Sequence, residues 1–219
     1  MKIKRYYVFV PKSIYKQFFN RCYDVLKPLT NELNRIGIKS KLYPIGSGKG
    51  HLVTQVIEND QPKTFDLDFN LEIDLTSLPK KYKDLKKLKD TVRTLLNKII
   101  SNKDYFLDGR DSTSVISVPL HFEDSKEIKF SFDLAIVSRN SFGNLQRLIH
   151  NKQNEFFTWA TAKKSKDVEK KAELIKQNQL WNHVRNKYLY FKNQFINDCN
   201  HPSFICYVMA INEIYNKNF

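Results

Sequence analysis

Residues 65–73 read Phe-Asp-Leu-Asp-Phe-Asn-Leu-Glu-Ile, a stretch in which apolar and polar side chains alternate. Alternation with a period of two predicts a β-strand with one face in the core and an acidic face opposite. Because residues two apart on a strand point the same way, Asp66 and Asp68 place two carboxylates close together. Such a pair repels unless a cation neutralises it, and Mg²⁺ is commonly held by carboxylates together with substrate phosphates. The alternative is an exposed acidic strand face, which Glu72 and Asp74 would extend.

A glycine-rich turn precedes this strand. Residues 46–50 read Gly-Ser-Gly-Lys-Gly and follow a short strand predicted over 41–45. The turn fails the P-loop pattern because Gly50 follows Lys49, and it fails the dinucleotide pattern G-x-G-x-x-G, which must open a long helix. What remains is a turn whose backbone N–H groups can approach a phosphate, with a lysine beside it. An ordinary glycine-rich hairpin turn is the alternative.

A third carboxylate stands alone in an apolar strand further along the chain. Asp133 lies in a strand predicted over 126–137, and a turn at 123–125 joins this strand to another over 112–122. A buried aspartate is costly unless it is paired or bound to a metal. If this strand neighbours the first acidic strand, three carboxylates converge on one site that can hold two metal ions and activate a hydroxyl at a phosphoryl centre.

The remaining elements follow from the spacing of apolar residues. Steps of three and four after Pro11 predict a long amphipathic helix that ends at Gly37. The other expected elements are strands over 6–10, 51–58 and 63–73 (the last two joined by a turn at 59–62), a helix over 79–101, helical periodicity from Phe142 onward, a long helix near 167–197 and a last helix from Pro202. The pattern predicts an α/β-type core to about residue 138, followed by a helical C-terminal part.

Basic residues outnumber acidic ones by 37 to 23, which gives a formal net charge of +14. Part of the lysine excess is typical of A/T-rich coding sequences. The rest is concentrated, because residues 79–103 carry a net charge of +7 and residues 139–192 a net charge of +8. Each stretch alone is typical of a solvated helix face, but together they favour contact with polyanions such as RNA or nucleotide phosphates.

Composition excludes several classes of protein. With 41% hydrophobic residues, the chain is no disordered basic tail. Its three cysteines form no C-x-x-C pair and its histidines have no zinc-site spacing, so we expect a reducing, cytoplasmic setting without structural zinc. No apolar run approaches the length of a membrane span, so no membrane partner is expected.

The order of these motifs carries a resemblance. A Gly-Ser turn after a strand, an apolar-Asp-apolar-Asp-apolar strand and a later strand with a lone aspartate resemble the nucleotidyltransferase superfamily typified by DNA polymerase β. Within it, the residues look most like the oligoadenylate synthetase and cyclic GMP-AMP synthase branch. The resemblance covers 38–74 and 126–137 by motif and the rest by element order. It implies a nucleotidyltransferase-type mixed sheet flanked by helices, with a catalytic core over 1–138 and a helical region over 139–219.

The resemblance also implies roles for individual residues. Gly46 and Ser47, with Lys49 beside them, would hold the triphosphate of an NTP. Asp66 and Asp68 would ligate two Mg²⁺ (or Mn²⁺) ions, and the third aspartate, Asp133, would ligate the catalytic metal and help to deprotonate the acceptor hydroxyl. One departure is the distance along the chain from the Gly-Ser turn to the first aspartate, which is longer than usual. A strand-turn-strand insertion, or a hairpin in place of the usual short helix, would explain it.

Two functions of different classes follow. The first is a metal-dependent nucleotidyltransferase that moves NMP from an NTP to a hydroxyl and releases pyrophosphate, the acceptor being an RNA end, a nucleotide or a protein. The second is a non-catalytic nucleic-acid-binding module that retains the fold and uses the two basic stretches. A structural or adaptor protein with coincidental motifs is a third interpretation. Mg²⁺-dependent NTP turnover that needs all three aspartates distinguishes the first from the others.

Overall fold

The computed structural model describes residues 4–103, 105–121, 128–161 and 166–219, and ten strands and five α-helices lie in these ranges. The strands are β1 (Arg5–Phe9), β2 (Ser40–Ile45), β3 (Thr54–Glu58), β4 (Gln61–Pro62), β5 (Phe65–Ile73), β6 (Arg110–Asp111), β7 (Ile116–His121), β8 (Ile128–Arg139), β9 (Leu145–Asn151) and β10 (Phe156–Thr161). The helices are α1 (Lys12–Arg35), α2 (Leu85–Ile100), α3 (Lys166–Gln177), α4 (Trp181–Gln194) and α5 (Ser203–Asn218), and Gly46–Gly50 and Lys80–Tyr82 form 3₁₀ turns. None of these helices is long and apolar enough to cross a lipid bilayer.

The chain divides into two compact units. The larger unit contains Pro11–Lys49 and Thr64–Ala162, and the smaller contains Met1–Val10, Gly50–Lys63 and Lys163–Phe219. Each unit has a sheet of its own and helices of its own.

The sheet of the larger unit is mixed, as predicted. Its order is β10-β9-β8-β5-β2, and β5 and β8 run parallel while the other neighbouring strands run antiparallel. Strand β7 pairs with the first half of β8, and β9 pairs with its last residues along the same edge. The parallel pair at the centre places the two aspartate-bearing strands side by side, which confirms the adjacency that the catalytic hypothesis required.

Helix α1 covers the apolar face of the two central strands. Its buried stripe follows the predicted spacing and consists of Phe18, Cys22, Val25, Leu26, Leu29 and Leu33. The ring of Phe18 lies 5.5 Å from that of Phe65 on β5 and 4.8 Å from that of Phe130 on β8. Gly37, with φ at 86°, follows the helix end where a left-handed residue is needed. Since α1 covers this face, the acidic residues of β5 lie on the opposite face of the sheet.

The smaller unit combines a three-stranded sheet with three helices. Its sheet order is β1-β3-β4, and its core contains Leu52, Val168, Ala172, Ile175, Val184, Tyr188, Cys206, Ala210, Ile211 and Ile214. Strands β3 and β4 form a tight hairpin whose turn residues, Asn59 and Asp60, both have positive φ. This hairpin lies between the Gly-Ser turn and β5 in the chain. It is the strand-turn-strand insertion that the sequence predicted to explain the long gap.

Some boundaries differ from the predictions. Helical periodicity from Phe142 is wrong over Leu145–Thr161, where β9 and β10 form an antiparallel hairpin. The aromatic and β-branched residues of β10, Phe-Phe-Thr-Trp-Ala-Thr, favour a strand and outweigh the spacing signal. The single helix near 167–197 is two helices, because Gln179 adopts a φ of 59° between α3 and α4.

One helix and one strand begin later in the chain than predicted. The helix predicted over 79–101 begins only at Leu85, where the Asp84 carboxylate accepts a hydrogen bond from the Lys87 backbone N–H at 3.1 Å and caps the helix. Strand β3 begins at Thr54 instead of His51, because the glycine-rich segment continues as a 3₁₀ turn up to Gly50. The turn predicted at 123–125 lies outside the described residues.

Candidate active site

The three predicted aspartates lie on one face of two neighbouring strands. In the parallel pairing of β5 and β8, Asp68 is directly opposite Asp133, and Asp66 is directly opposite Ser131. Paired residues in a sheet point to the same side, so the three carboxylates share the face opposite α1. We call this surface, defined by Asp66, Asp68 and Asp133, the acidic face.

The Gly-Ser turn begins beside this face. Ile45, the last residue of β2, pairs with Asp68, so the next residue, Gly46, starts the turn next to that aspartate. A Cβ atom at Gly46 would lie 3.1 Å from Asp68 Oδ2, and its φ of 61° also favours glycine. Ser47 follows in the same 3₁₀ turn. Glycine here allows the backbone to approach the carboxylate closely.

The alternative of an ordinary hairpin turn is wrong for residues 46–50. A hairpin turn joins two strands that pair with each other, whereas β2 pairs with β5 and β3 pairs with β1. Within the larger unit, Tyr15 Oη donates a hydrogen bond to the Gly48 carbonyl at 3.3 Å and fixes the middle of the turn. The side chain of Lys49 lies outside the described part of the structure, so its predicted role stays a prediction.

The charges of the acidic face are not balanced locally. Burial, followed by the nearby charges of Asp133 and Asp66, raises the pKa of Asp68 to about 6, and Arg147 opposes this only in part. Burial also raises the pKa of Asp133; the hydrogen bond from Ser117 lowers it, Asp66 raises it and Arg147 lowers it, with a net upward shift. Partly buried carboxylates that lie beside one another favour a proton or a metal cation among them.

Two serine hydroxyls contact the carboxylates. Ser117 Oγ on β7 donates a hydrogen bond to Asp133 Oδ1 at 2.5 Å, and Ser131 Oγ on β8 donates one to Asp66 Oδ1. Neither serine was predicted from the sequence, and neither was Arg147 on β9. The available signal was the position of Ser131 two residues before Asp133, which places both on one face of a strand.

The rest of the acidic strand is neutralised within the protein. Glu72 accepts a hydrogen bond from Tyr43 Oη at 2.9 Å and one from Arg139 Nε at 2.8 Å. Asp74 lies beyond the strand end, where it accepts hydrogen bonds from Thr76 and Ser77. Glu72 and Asp74 therefore do not extend the acidic face, although Asp66 is exposed, as the alternative of an exposed acidic strand expected.

The donor chemistry of the acidic face fits a hard divalent cation. Carboxylate oxygens are the ligands that Mg²⁺ and Mn²⁺ prefer, and three carboxylates share one face of the sheet. In the described ranges, no three His, Cys, Asp or Glu side chains are already gathered in the arrangement of a metal site. Two of the three carboxylates accept hydrogen bonds from serine hydroxyls instead. The residues fit a divalent cation in two respects: their oxygen ligands are of the right type, and the strand register places them on one face.

One lysine of the basic stretch over 79–103 is buried. Lys89 is only 3% exposed, and its Nζ lies 2.5 Å from Asp111 Oδ1 and donates a hydrogen bond to the Ser112 carbonyl at 2.7 Å. His150 Nδ1 lies 2.8 Å from the other carboxylate oxygen of Asp111. The expectation that this stretch contacts polyanions therefore fails at Lys89, whereas Lys86 and Lys87 are exposed.

No protein-family model and no curated protein matches the chain, but solved structures do. Escherichia coli MS115-1 CdnC with ATP is 16% identical, with 95% of this chain and 62% of that chain covered and a TM-score of 0.54. Escherichia coli DncV in a 3′-deoxy GTP bound form is 11% identical, with 96% and 69% covered and a TM-score of 0.57. Rhodothermus marinus CdnE c-UMP-AMP synthase, with Apcpp and Upnpp, is 12% identical, with 93% and 75% covered and a TM-score of 0.53.

The similarity to these structures identifies the fold of the chain. They are CD-NTases, cGAS-like nucleotidyltransferases of the polymerase-β type, so the chain has the nucleotidyltransferase fold that its motifs predicted. The chain spans 62% of the length of the Escherichia coli CdnC chain. At 11 to 16% identity the likeness concerns the fold, and activity is a separate question.

Proposed function

We propose that the chain is a metal-dependent nucleotidyltransferase that transfers NMP from an NTP to a hydroxyl acceptor and releases pyrophosphate. The observation that carries the proposal is the direct pairing of Asp68 with Asp133 across parallel strands, with Gly46 against the Asp68 carboxylate. A phosphate-approaching turn and a cluster of unbalanced carboxylates at one point are what phosphoryl chemistry with a divalent cation requires. The fold it shares with CdnC, DncV and CdnE supports the same conclusion.

Each part of the site has a proposed role. The backbone of Gly46 and Ser47 holds the phosphates of the NTP, with Lys49 beside them, and Gly46 has no side chain to crowd the Asp68 carboxylate. Asp66 and Asp68 would hold Mg²⁺ or Mn²⁺ together with Asp133. When bound, the metal would supply charge neutralisation at the phosphoryl oxygens and acidify a coordinated hydroxyl.

The proposed reaction forms one bond to phosphorus and breaks another. The acceptor oxygen forms a bond to the α-phosphorus, the bond from that phosphorus to the bridging oxygen of the β-phosphate breaks, and pyrophosphate leaves. Asp133 accepts the proton of the acceptor hydroxyl. The hydrogen bond from Ser117 keeps the Asp133 carboxylate oriented while it does so.

The NTP is the proposed small-molecule partner. CdnC was solved with ATP, DncV with 3′-deoxy GTP bound, and CdnE with two nucleotide analogues. For the acceptor, we propose RNA or another polyanion that contacts the exposed lysines of α2, among them Lys86 and Lys87. We propose that the catalytic core continues past residue 138, the boundary expected from the sequence, because β9 and β10 extend its sheet and the charge of Arg147 on β9 acts on Asp68 and Asp133.

Incubation with each α-labelled NTP and Mg²⁺ or Mn²⁺, with and without total RNA, tests the proposal. The wild-type protein should form a labelled product and pyrophosphate, while Asp68→Asn and Asp133→Asn should not. Asp60→Asn, at the exposed β3–β4 turn, is the matched control and should retain activity. If the wild type shows neither turnover nor metal-dependent thermal stabilisation by any NTP, the non-catalytic nucleic-acid-binding module becomes the better interpretation.

A further inference from the structure

Two carboxylates and one hydroxyl lie side by side on three adjacent strands at the acidic face. Asp68 on β5 is opposite Asp133 on β8, and Asp133 is in turn opposite Ser117 on β7. Asp133 thus lies between a like charge on one side and a hydrogen-bond donor on the other. The repulsion from Asp68 and the hydrogen bond from Ser117 both draw the Asp133 carboxylate towards β7.

The contact between Ser117 and Asp133 is short and specific. The 2.5 Å separation of Ser117 Oγ and Asp133 Oδ1 is typical of a charge-assisted O–H···O⁻ hydrogen bond. It engages one carboxylate oxygen, Oδ1, and a carboxylate has a second oxygen with which to bind a cation. A hydroxyl that holds one oxygen of a metal-binding carboxylate orients the other oxygen and tunes the site.

The sequence around Ser117 makes its hydroxyl exceptional in the strand. Its neighbours Ile116 and Val118 are fully buried, as is Leu120 further along β7. Pro119, the next residue on the same side as Ser117, is also buried. A strand of such apolar composition gains no packing from a hydroxyl, so its contact with the carboxylate is the interaction that distinguishes serine from alanine or valine at this position.

We propose that Ser117 is a positioning residue that orients the Asp133 carboxylate for cation binding. The inference rests on the proposed nucleotidyltransferase function and deepens it by naming a residue that acts through Asp133. Ser117 contacts neither substrate nor metal in this role; it keeps one carboxylate oxygen engaged and prevents the side chain from rotating away from Asp68. Loss of such an outer hydrogen bond typically lowers metal affinity or activity about 10- to 100-fold.

Two variants, Ser117→Thr and Ser117→Val, have nearly the same shape as each other and differ in the hydroxyl, so they separate the effect of the hydroxyl from that of side-chain shape. Ser117→Thr retains the hydroxyl and Ser117→Val replaces it with a methyl group, and both side chains are β-branched and suit a strand. Ser138→Ala is the control, because Ser138 is a buried serine on β8 whose hydroxyl faces away from the carboxylates and lies near the Arg139 carbonyl. Thermal unfolding of all three variants without metal checks that the fold is intact.

Mn²⁺ binding to the nucleotide-free protein, followed by electron paramagnetic resonance, is the first readout. Ser117→Val should weaken Mn²⁺ binding about 10-fold, while Ser117→Thr and Ser138→Ala bind as the wild type does. In turnover assays, Ser117→Val should lower kcat by about the same factor and leave the KM for NTP unchanged. A merely structural role would not produce loss with valine and recovery with threonine at equal thermal stability.

The outcomes that overturn the inference differ from those that overturn the function. If Ser117→Val binds Mn²⁺ and turns over NTP like the wild type while Asp68→Asn does neither, Ser117 has no positioning role and the proposed function stands. If threonine is as harmful as valine, side-chain volume and not the hydroxyl is responsible, and the inference is again wrong. If the wild type binds no Mn²⁺ at all, the metal-dependent function fails and the inference fails with it.

Discussion

Two partly buried carboxylates of the larger unit have opposite surroundings. Asp111 lies 2.5 Å from the Lys89 ammonium and 2.8 Å from His150 Nδ1. Burial alone would raise the pKa of Asp111, but the hydrogen bonds and charges of Lys89 and His150 outweigh burial and lower it. For Asp68, burial and two neighbouring carboxylates act together and raise the pKa to about 6.

The difference separates a structural charge from one that needs a partner from outside the chain. The protein supplies Asp111 with a buried lysine, and the resulting ion pair is complete. It supplies Asp68 with further negative charge on the adjacent strand and with the backbone of Gly46. Perturbed groups of the second kind cluster at functional sites, because an arrangement that costs stability persists only when it serves another purpose.

The largest expected effect is on activity, from removal of one charge of the acidic face. Asp68→Asn keeps the shape of the side chain and should lower NTP turnover about a thousandfold, since loss of metal-assisted stabilisation costs roughly 4 kcal/mol and each ~1.4 kcal/mol is tenfold. The free energy of unfolding of the metal-free protein should rise, because one of two repelling carboxylates is gone. Initial rates and urea unfolding measure the two effects.

The matched substitution at Asp111 should change the free energy of unfolding in the opposite direction. Asp111→Asn leaves the Lys89 ammonium buried without a counter-charge, so the free energy of unfolding should fall. If both asparagine variants change stability in the same direction, the contrast between the two carboxylates is wrong.

The next effect concerns the lysine of the structural pair. Lys89→Met retains the apolar stem but leaves Asp111 buried without its ammonium partner, so the free energy of unfolding should fall by about 3–4 kcal/mol. Lys86→Met, on the exposed side of the same helix, is the control and should change stability by less than about 0.5 kcal/mol. A Lys89→Met variant as stable as the control would show that the ion pair contributes little.

The pH dependence of stability should also distinguish the carboxylates. The folded-state pKa of Asp68, about 6, is above its ordinary value of 3.8, so its contribution is fully present below pH 3.8 and is lost as pH rises through 6. The metal-free protein should therefore lose on the order of 1–3 kcal/mol between pH 4 and pH 7 through this group. Other groups titrate in the same range, so the quantity to measure is the difference in unfolding free energy between wild type and Asp68→Asn.

Asp111 should behave in the reverse manner. Its folded-state pKa is lowered, so its contribution is present above its ordinary value and is lost as pH falls through the folded value. The difference in unfolding free energy between wild type and Asp111→Asn should therefore shrink on acidification below pH 4.

The corresponding difference in unfolding free energy for Asp68→Asn should vary with pH. If it does not vary between pH 4 and pH 7, the pKa of Asp68 is not raised at the acidic face.

The smallest effect is expected at the exposed lysines of α2. Lys86→Glu with Lys87→Glu should weaken RNA binding about 10-fold at low salt and reduce its salt dependence, because each lysine that contacts a phosphate releases about one counterion. Lys12→Glu with Lys16→Glu on α1 is the control with the same net charge. Equal effects of the two pairs would indicate general attraction without a defined surface, and no effect of either would favour a small-molecule or protein acceptor.

Local patterns predicted much of this structure. Strict alternation located β5, regular spacing located α1, and the isolated position of Asp133 in an apolar run made its strand a candidate neighbour of β5. Each of these signals depends on one element and its own burial, which sequence periodicity reports directly. The parallel direction of the pairing was not predicted, because the resemblance implied only a mixed sheet.

Long-range contacts were beyond that reasoning. The pattern of Lys89 is that of any lysine in a basic helix, and only the fold brings Asp111 and His150 to it. Ser117 is one serine among many, and its role depends on a strand pairing that leaves no mark on the sequence nearby. The hairpin of β9 and β10 was missed because short apolar runs fit both a helix and a strand until their neighbours are known.

The parallel pairing of β5 and β8 has a consequence for the order of folding. Ser117 and Asp133 are 16 positions apart and join through a local hairpin, whereas Asp66 and Ser131 are 65 positions apart. Closing the longer loop costs about 1.2 kcal/mol more in chain entropy, since each doubling of loop length adds about 0.6 kcal/mol, and non-local parallel pairing is slow. A nascent chain can therefore form the contact of Ser117 with Asp133 early. The three aspartates meet only when this non-local pairing forms, so the proposed cation site cannot be complete before the central sheet closes.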